Sequence, residues 1–454
     1  MSNGAPSGRD SWGTRAGFLL AAVGSAVGLG NMWRFSYVAA EGGGAAFVLL
    51  YVFFVAFIGV PLMTSEMVVG RLTQSSPVVA LRTLGGSGWI WLGVLFVMCG
   101  IGILSFYSVI AGWTMRYAVD AFRGALPADT TSYFASVATG VPAIVTHVLF
   151  MGITVLIVTA GVKRGLERAA YALMPVLFLL LLGLALWAAT LDQGGGGYAY
   201  YLRPDLSELL NPSTISRAAG QAFFSLSLGM GALMTFASYL RTKENLGRES
   251  AVIAACDFGV AFISGLVVFP IIFHFDLGAA IGLGGAVTDN TVGTLFIAMP
   301  AAVASLGGLG QYVIGAFFLM LFLAAVTSSI SLLEVATAAA VDGLRWTRRR
   351  AAIVFGLLIT LLGIPSARNL NFLDFLDKFV GAFLLIVGGL LTCIFVGFRV
   401  LPQAEAELAH GLDDSRARHL WAVFVRYVAP PVLLFVAGFS LIAAIAAFRT
   451  WIAS

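Results

Sequence analysis

The chain has 454 residues and a formal net charge of +4, with 59% of residues hydrophobic, 11% charged and a mean hydropathy of +0.95. Soluble domains carry about 25% charge, so the composition excludes a soluble globular protein and leaves a polytopic protein of the lipid bilayer. The small basic excess follows membrane sidedness, which leaves no case for nucleic acid as a partner.

A spanning helix needs about 20 apolar residues. Taken in order, such stretches fall at 12–38, 43–70, 89–122, 142–160, 168–190, 214–240, 250–276, 311–342, 351–365, 372–399 and 420–448, which predicts eleven spans. With the N-terminus inside, 18 Lys and Arg fall on the cytoplasmic side. Only 6 (Arg116, Arg123, Arg203, Arg217, Arg368 and Arg449) fall opposite, as the positive-inside rule requires. An odd span count then places the C-terminus outside. Residues 1–11 lack a signal-peptide pattern and read as a cytoplasmic N-terminal segment. Cys99, Cys256 and Cys393 sit inside spans at unrelated spacings and read as small apolar residues.

Two spans are interrupted by glycine. The first, 12–37, contains Gly24-Ser-Ala-Val-Gly28-Leu-Gly30-Asn31; the sixth, 213–239, contains Ser225-Leu-Ser-Leu-Gly229-Met-Gly231. Backbone opened in hydrocarbon costs several kcal/mol per unsatisfied group, so such breaks persist only against something polar. A pair of broken helices, one in each half of a chain, points to a transporter's binding site. Five spans followed by five more, each set opening with a broken helix, predict an inverted repeat. The units are 12–190 and 213–400, separated by an extracellular loop at 191–212. The second unit carries an extracellular lid loop at 277–310, and 401–454 holds a cytoplasmic loop and the eleventh span.

Ionisable residues inside spans are functional candidates by default, and here they include Glu66, Asp257, Glu334, Asp342, Asp377 and Lys378. Thr327-Ser328-Ser329 adds three consecutive hydroxyls in the eighth span. A hard alkali cation takes oxygen ligands. Opened backbone at 24–28, the Thr327 and Ser328 hydroxyls, Asn31 and Asp257 could supply them. The half-helix N-termini at the breaks favour a carboxylate, so an amino-acid zwitterion beside sodium suits both ends; the alternative is a pair of plain helix kinks. His147 and His274 read as local hydrogen-bonding residues. An intramembrane enzyme lacks a convergent nucleophile and base, no organic cofactor motif is present, and a channel lacks a continuous polar path.

At these motifs the chain resembles the neurotransmitter:sodium symporter family. The resemblance rests on Trp12-Gly-Thr-Arg15, Val27 to Phe35, Glu41 to Phe47, Pro61 to Glu66, Gly70-Arg71, Gln221 to Gly229 and Thr327-Ser328-Ser329, spanning about 9–399. It implies an all-α integral membrane fold with inverted five-helix repeats (LeuT-like), alternating access, and a bacterial member carrying hydrophobic amino acids. One sodium site would use Ala26, Asn31, Ser225 and Asp257; a second would use Gly24, Val27, Ala324, Thr327 and Ser328. Substrate contacts would come from Ser25, Ala26, Gly28, Ile103, Tyr107, Phe224, Ser225, Ser227, Met230, Ser328 and Leu332. Arg34 and Asp377 would form an outer gate, and Arg9 and Asp342 an inner one with Trp12, Ser238 and Tyr239 nearby. Glu66 would brace opened backbone, and Gly165 with Pro175 would mark a stretch of the fifth span that unwinds to let water in.

Chloride-using relatives hold the anion with Tyr, Gln and serines. Tyr51, Gln221 and Ser225 match, but Ala261 replaces a serine and Asp257 brings a fixed charge, so chloride independence is expected. No acidic residue near Ser25–Ala26 offers a site for a lone amine, and Met230 is an adaptable side chain. Both favour a bulky hydrophobic or aromatic L-amino acid, carried across an inner (plasma) membrane by a monomer or homodimer. A proton-coupled amino-acid permease of the same fold is the nearest alternative.

Overall fold

The computed structural model describes residues 10–191, 195–240, 244–275, 294–304, 307–412 and 414–453, and these are helical or irregular, with no strand among them. Nine helices among the described residues are long and apolar enough to cross a membrane, and a tenth span results if Arg15–Ala26 and Gly30–Glu41, bent by 46°, are counted together. The sixth expected span is divided into Pro212–Ser225 and Ala232–Ala237. The ninth runs Arg348–Arg368, longer than the 351–365 read from hydropathy. Its first turn is made of arginines capped by Thr347, and Pro365 is accommodated inside the helix.

Both broken helices lie at the centre. Arg15–Ala26 packs against Leu246–His274, Gly308–Leu344 and Val162–Ala188, while Ala232–Ala237 packs against Val60–Thr73, the second half of Ala45–Thr73. The largest helix pairing, Gly308–Leu344 along Ser87–Phe122, forms a wall beside them. Of the expected lid loop, 277–293 and 305–306 lie outside the described residues. The part described is a helix, Thr294–Ala304, whose Phe296 packs on Trp113, Tyr117, Phe134 and Phe318.

The breaks follow from local sequence. Val27 is extended (φ −76°, ψ 91°), which ends the first helix. In the sixth span Ser227, Gly229 and Gly231 all have positive φ (55°, 77° and 70°), a region costing L-residues about 1–2 kcal/mol each and glycine almost nothing. Gly229 must also be glycine for space, because a Cβ there would overlap the Leu385 carbonyl and sit 3.0 Å from the Gly389 nitrogen. Gly388 in turn leaves room for the Gly229 backbone.

Gly229→Ala should therefore destabilise the protein by about 2–4 kcal/mol, combining the φ penalty with overpacking. Thermal unfolding in detergent measures this against Gly183→Ala, where the added methyl meets nothing within 4 Å. Equal melting temperatures for the two variants would contradict the close backbone approach.

Candidate substrate and sodium site

The unwound peptide groups are satisfied by specific side chains. Asn31 Oδ1 accepts from Gly28 N–H (3.0 Å), Tyr107 Oη accepts from Leu29 N–H (3.1 Å), and Glu66 Oε1 accepts from Gly229 N–H (2.8 Å). Glu66 is fully buried and braces the sixth-span break from the second span.

Between the breaks lies one cavity. Its lining comprises all eleven residues expected to contact substrate (Ser25, Ala26, Gly28, Ile103, Tyr107, Phe224, Ser225, Ser227, Met230, Ser328 and Leu332), joined by Gly30. Gly30 was read in the sequence as part of the helix break but not as a lining residue, because glycine leaves no side-chain signal; a Cβ there would sit 2.8 Å from the Phe224 ring. The wall is apolar at Ile103, Met230 and Leu332 and carries hydroxyls at Ser25, Ser227 and Ser328.

Asn31, Ser225 and Asp257 of the first expected sodium site are brought together. Asp257 accepts from Ser225 Oγ (2.7 and 2.9 Å), Asn31 Nδ2 (2.7 Å) and Tyr51 Oη (2.9 Å), and it is completely buried. Ala26 lines the adjoining cavity at the end of the first half-helix. Tyr51 reaches this carboxylate, whereas Gln221 bonds the Gly30 carbonyl (2.8 Å) and the Arg34 guanidinium (3.1 Å).

Gly24, Ala324, Thr327 and Ser328 of the second expected site also converge. Ser328 Oγ lies 3.4 Å from the Gly24 carbonyl, and Thr327 Oγ1 donates to the Ala324 carbonyl (2.9 Å). The side chains of Thr327 and Met174 both face Gly24. Val27 is the residue at which the backbone opens. All these groups are oxygen donors, which suits an alkali cation. Among the described residues no three His, Cys, Asp or Glu side chains gather as transition-metal ligands do.

The outer gate residues meet. Arg34 Nε lies 3.5 Å from Asp377 Oδ2, and the guanidinium sits over the Phe224 ring at 4.7 Å. At the inner end, Arg9 lies outside the described residues, so its pairing with Asp342 is not part of the geometry. Asp342 Oδ2 accepts from Ser76 N–H at 2.6 Å. Trp12 Nε1 donates to the Phe236 carbonyl (2.9 Å), and its ring packs edge-on against Phe236 and Tyr239. Ser238 Oγ donates to the Thr235 carbonyl (2.6 Å).

Two further inner contacts were not read as a gate from sequence. Tyr239 Oη donates to Glu334 (2.6 Å), and Glu334 pairs with Arg348, which reaches Asp10 (3.0 Å). Glu167 accepts from Gly13 N–H (2.7 Å) and Thr14 Oγ1 (2.9 Å), holding the start of the first helix. Glu167 stands two residues after Gly165, so the motif at 165–175 did mark the place. The fifth span is helical from Val162 through Pro175 to Ala188 in this conformation. His147 Nε2 contacts the Thr360 carbonyl (3.0 Å), a local bond between spans.

Known proteins place this arrangement. The model of the Sodium:neurotransmitter symporter family matches residues 9–139 and 136–451. The chain belongs to this family. It is 34% identical over 445 residues to an uncharacterized sodium-dependent transporter, YhdH of Bacillus subtilis, covering 94% of this chain and 96% of the relative. It is 26% identical over 458 residues to the sodium-dependent nutrient amino acid transporter 1 of Drosophila melanogaster, covering 86% of this chain and 71% of that one. The crystal structure of MhsT in complex with L-phenylalanine matches with a TM-score of 0.86 at 38% identity, covering 96% of this chain and 100% of that one. The protein is thus a multi-pass, sodium-dependent transporter of the LeuT-like fold class, and the family is one of transporters, not enzymes.

The Glu334–Arg348 pair is largely buried, and removing one partner of such a pair costs about 3–5 kcal/mol. Arg348 keeps 17% side-chain exposure, so the cost is discounted for solvent. Arg348→Ala should still raise local opening of the segment before Arg15 at least tenfold, read as hydrogen exchange at 10–14. Unchanged exchange would remove this network from the inner closure.

Proposed function

We propose that this protein is a sodium-coupled symporter that imports hydrophobic and aromatic L-amino acids by alternating access, without chloride. The observation that carries this reading is the single cavity between two helix breaks, with oxygen clusters on both flanks. The half-helix that starts at Gly30 has its N-terminus at the cavity that Gly30 lines, where a carboxylate is favoured. The Tyr107 hydroxyl stands beside it, having accepted from Leu29 and kept its own proton to give. Carbonyls at the end of the first half-helix, from Ala26 onward, receive the ammonium. Ile103, Met230 and Leu332 enclose the side chain.

Sodium is cargo in this scheme. One ion takes Ala26, Asn31, Ser225 and Asp257, and the other takes Gly24, Val27, Ala324, Thr327 and Ser328. Asp257 supplies a permanent negative charge where Tyr51 and Ser225 converge, and this does the electrostatic work that a chloride would do. The bound phenylalanine named for MhsT and the amino-acid cargo named for the Drosophila relative support the substrate class. The units 12–190 and 213–400 are read as the inverted repeats, in an inner (plasma) membrane with the N-terminus inside and the C-terminus outside.

Uptake of labelled leucine, phenylalanine and tryptophan into liposomes tests the reading. Accumulation should follow an inward sodium gradient and be indifferent to replacing chloride with gluconate. Asp257→Asn should weaken apparent sodium affinity about tenfold or more, since the lost charge is worth upwards of 1.4 kcal/mol in a buried site. Uptake without a sodium gradient would refute symport; a chloride requirement that Asp257→Asn leaves untouched would refute the substitution of carboxylate for anion.

A further inference from the structure

The basic residues at the end of the molecule where the first span starts are not all alike. Arg15 pairs with Glu249 and Glu244, Arg71 with Glu407, and Arg348 with Glu334 and Asp10. Lys163, Arg164 and Arg168 have no ion pair among the described residues, yet they line one cleft of about 430 Å³ at the start of the fifth span. Glu167 and Tyr171 complete its lining. The Glu167 carboxylate is buried and spent on the first span, where it accepts from Gly13 N–H (2.7 Å) and Thr14 Oγ1 (2.9 Å). Thr14 has then given its one proton, so the Tyr171 hydroxyl, 2.8 Å away, donates to Thr14 Oγ1. The positive-inside rule accounts for basic residues at this end. It does not account for three of them sharing one cleft without a counter-ion.

The surface that continues from the cleft is apolar. The large exposed side chains after Arg168 are Tyr171, Val176, Leu179, Leu182 and Leu186, at spacings that keep them on one face of the helix. This is the least covered of the nine described spans, with 28% of its most apolar stretch buried. A headgroup held by Lys163, Arg164 and Arg168 would have its acyl chains beside these bare leucines, a contact that a soluble anion cannot use. Anionic headgroups of the cytoplasmic leaflet attract basic residues at span ends.

We infer that this cleft binds the headgroup of an anionic phospholipid, of which phosphatidylglycerol is the simplest example, and that the bound lipid favours the closed inner end. The second part follows from the lining, because Glu167 and Tyr171 share the cleft with the three cations and also hold Gly13 and Thr14. A ligand that binds this arrangement better than an opened one shifts the population toward it. The inference goes beyond the symport reading and needs from it only the N-terminus on the cytoplasmic side.

Lipid binding to the purified full chain tests this. The delipidated protein is titrated in detergent with phosphatidylglycerol or phosphatidylcholine, and bound lipid is counted by native mass spectrometry. Phosphatidylglycerol should bind about tenfold or more tightly than phosphatidylcholine. The triple variant Lys163→Gln, Arg164→Gln, Arg168→Gln should erase that preference, each lost cation weakening binding about fivefold. Arg345→Gln, Arg349→Gln, Arg350→Gln removes three exposed cations that do not line the cleft, and should keep it. Should the first triple variant not fold, Arg168→Gln alone, at an exposed position, should lose about fivefold. Millimolar inorganic phosphate should not compete. In nanodiscs, hydrogen exchange at 10–14 should be about threefold slower with phosphatidylglycerol than with phosphatidylcholine alone, and the first triple variant should lose this difference. Equal affinity for the two lipids, equal loss of preference in the two triple variants, or displacement by phosphate overturns the site. Exchange indifferent to the lipid overturns its link to the inner end. None of these outcomes depends on sodium-driven uptake, so a failure here and a failure of the symport reading are distinguishable.

Discussion

Three side chains accepting from three unwound N–H groups underlie the rest of this structure. Asn31 at Gly28, Tyr107 at Leu29 and Glu66 at Gly229 replace the helical bonds that the breaks give up. Each orphaned amide in hydrocarbon would cost several kcal/mol, which is comparable to the whole stability of a typical domain. The braces come from different spans, so the cavity exists only when the second and third spans are docked on the first and sixth. The site is in this sense a product of tertiary packing.

Electrostatics then divides the labour. Asp257 is held by Asn31, Ser225 and Tyr51, all of which donate to it, so its charge is aimed rather than merely present. The Tyr51 and Ser225 hydroxyls stand 3.0 Å apart with both protons directed at Asp257, which ties the second and sixth spans through the same carboxylate. The neighbouring oxygen group around Thr327 carries no formal charge and rests on the close approach of Gly24 to the eighth span. Two oxygen clusters of unequal charge flank one cavity.

Much of this was legible in the sequence because the informative residues are costly ones. Glycine runs inside spans, Asp257 and Glu66 in hydrocarbon, and consecutive hydroxyls at 327–329 each demand a reason, and the motifs around them fixed their relation. What escaped was of a different kind. Gly30 marked the helix break but had no side chain to announce that it lines the cavity. Glu334 stood out inside a span but without a partner in view, and Glu167 and Arg348 sit at span ends, where charge is ordinary; only the fold brings Glu334 between Tyr239 and Arg348, or Glu167 under Gly13. The extent of the ninth span was also underread, since hydropathy discounts the arginines of its first turn.

The two closures differ in construction, and the difference bears on how cargo commits the cycle. The inner end is held by Trp12 on Phe236, by Glu167 on Gly13 and Thr14, and by the chain from Tyr239 through Glu334 and Arg348 to Asp10. None of these contacts belongs to the cavity lining, so the inner end closes on its own residues. The outer end is a charge contact at 3.5 Å in which Arg34 Nε has no hydrogen-bond partner among the described residues, set on the Phe224 ring. Phe224 lines the cavity. In the proposed cycle, cargo in the cavity bears on the Phe224 ring over which the Arg34–Asp377 pair rests, whereas opening the inner end means releasing polar contacts that the cavity does not touch.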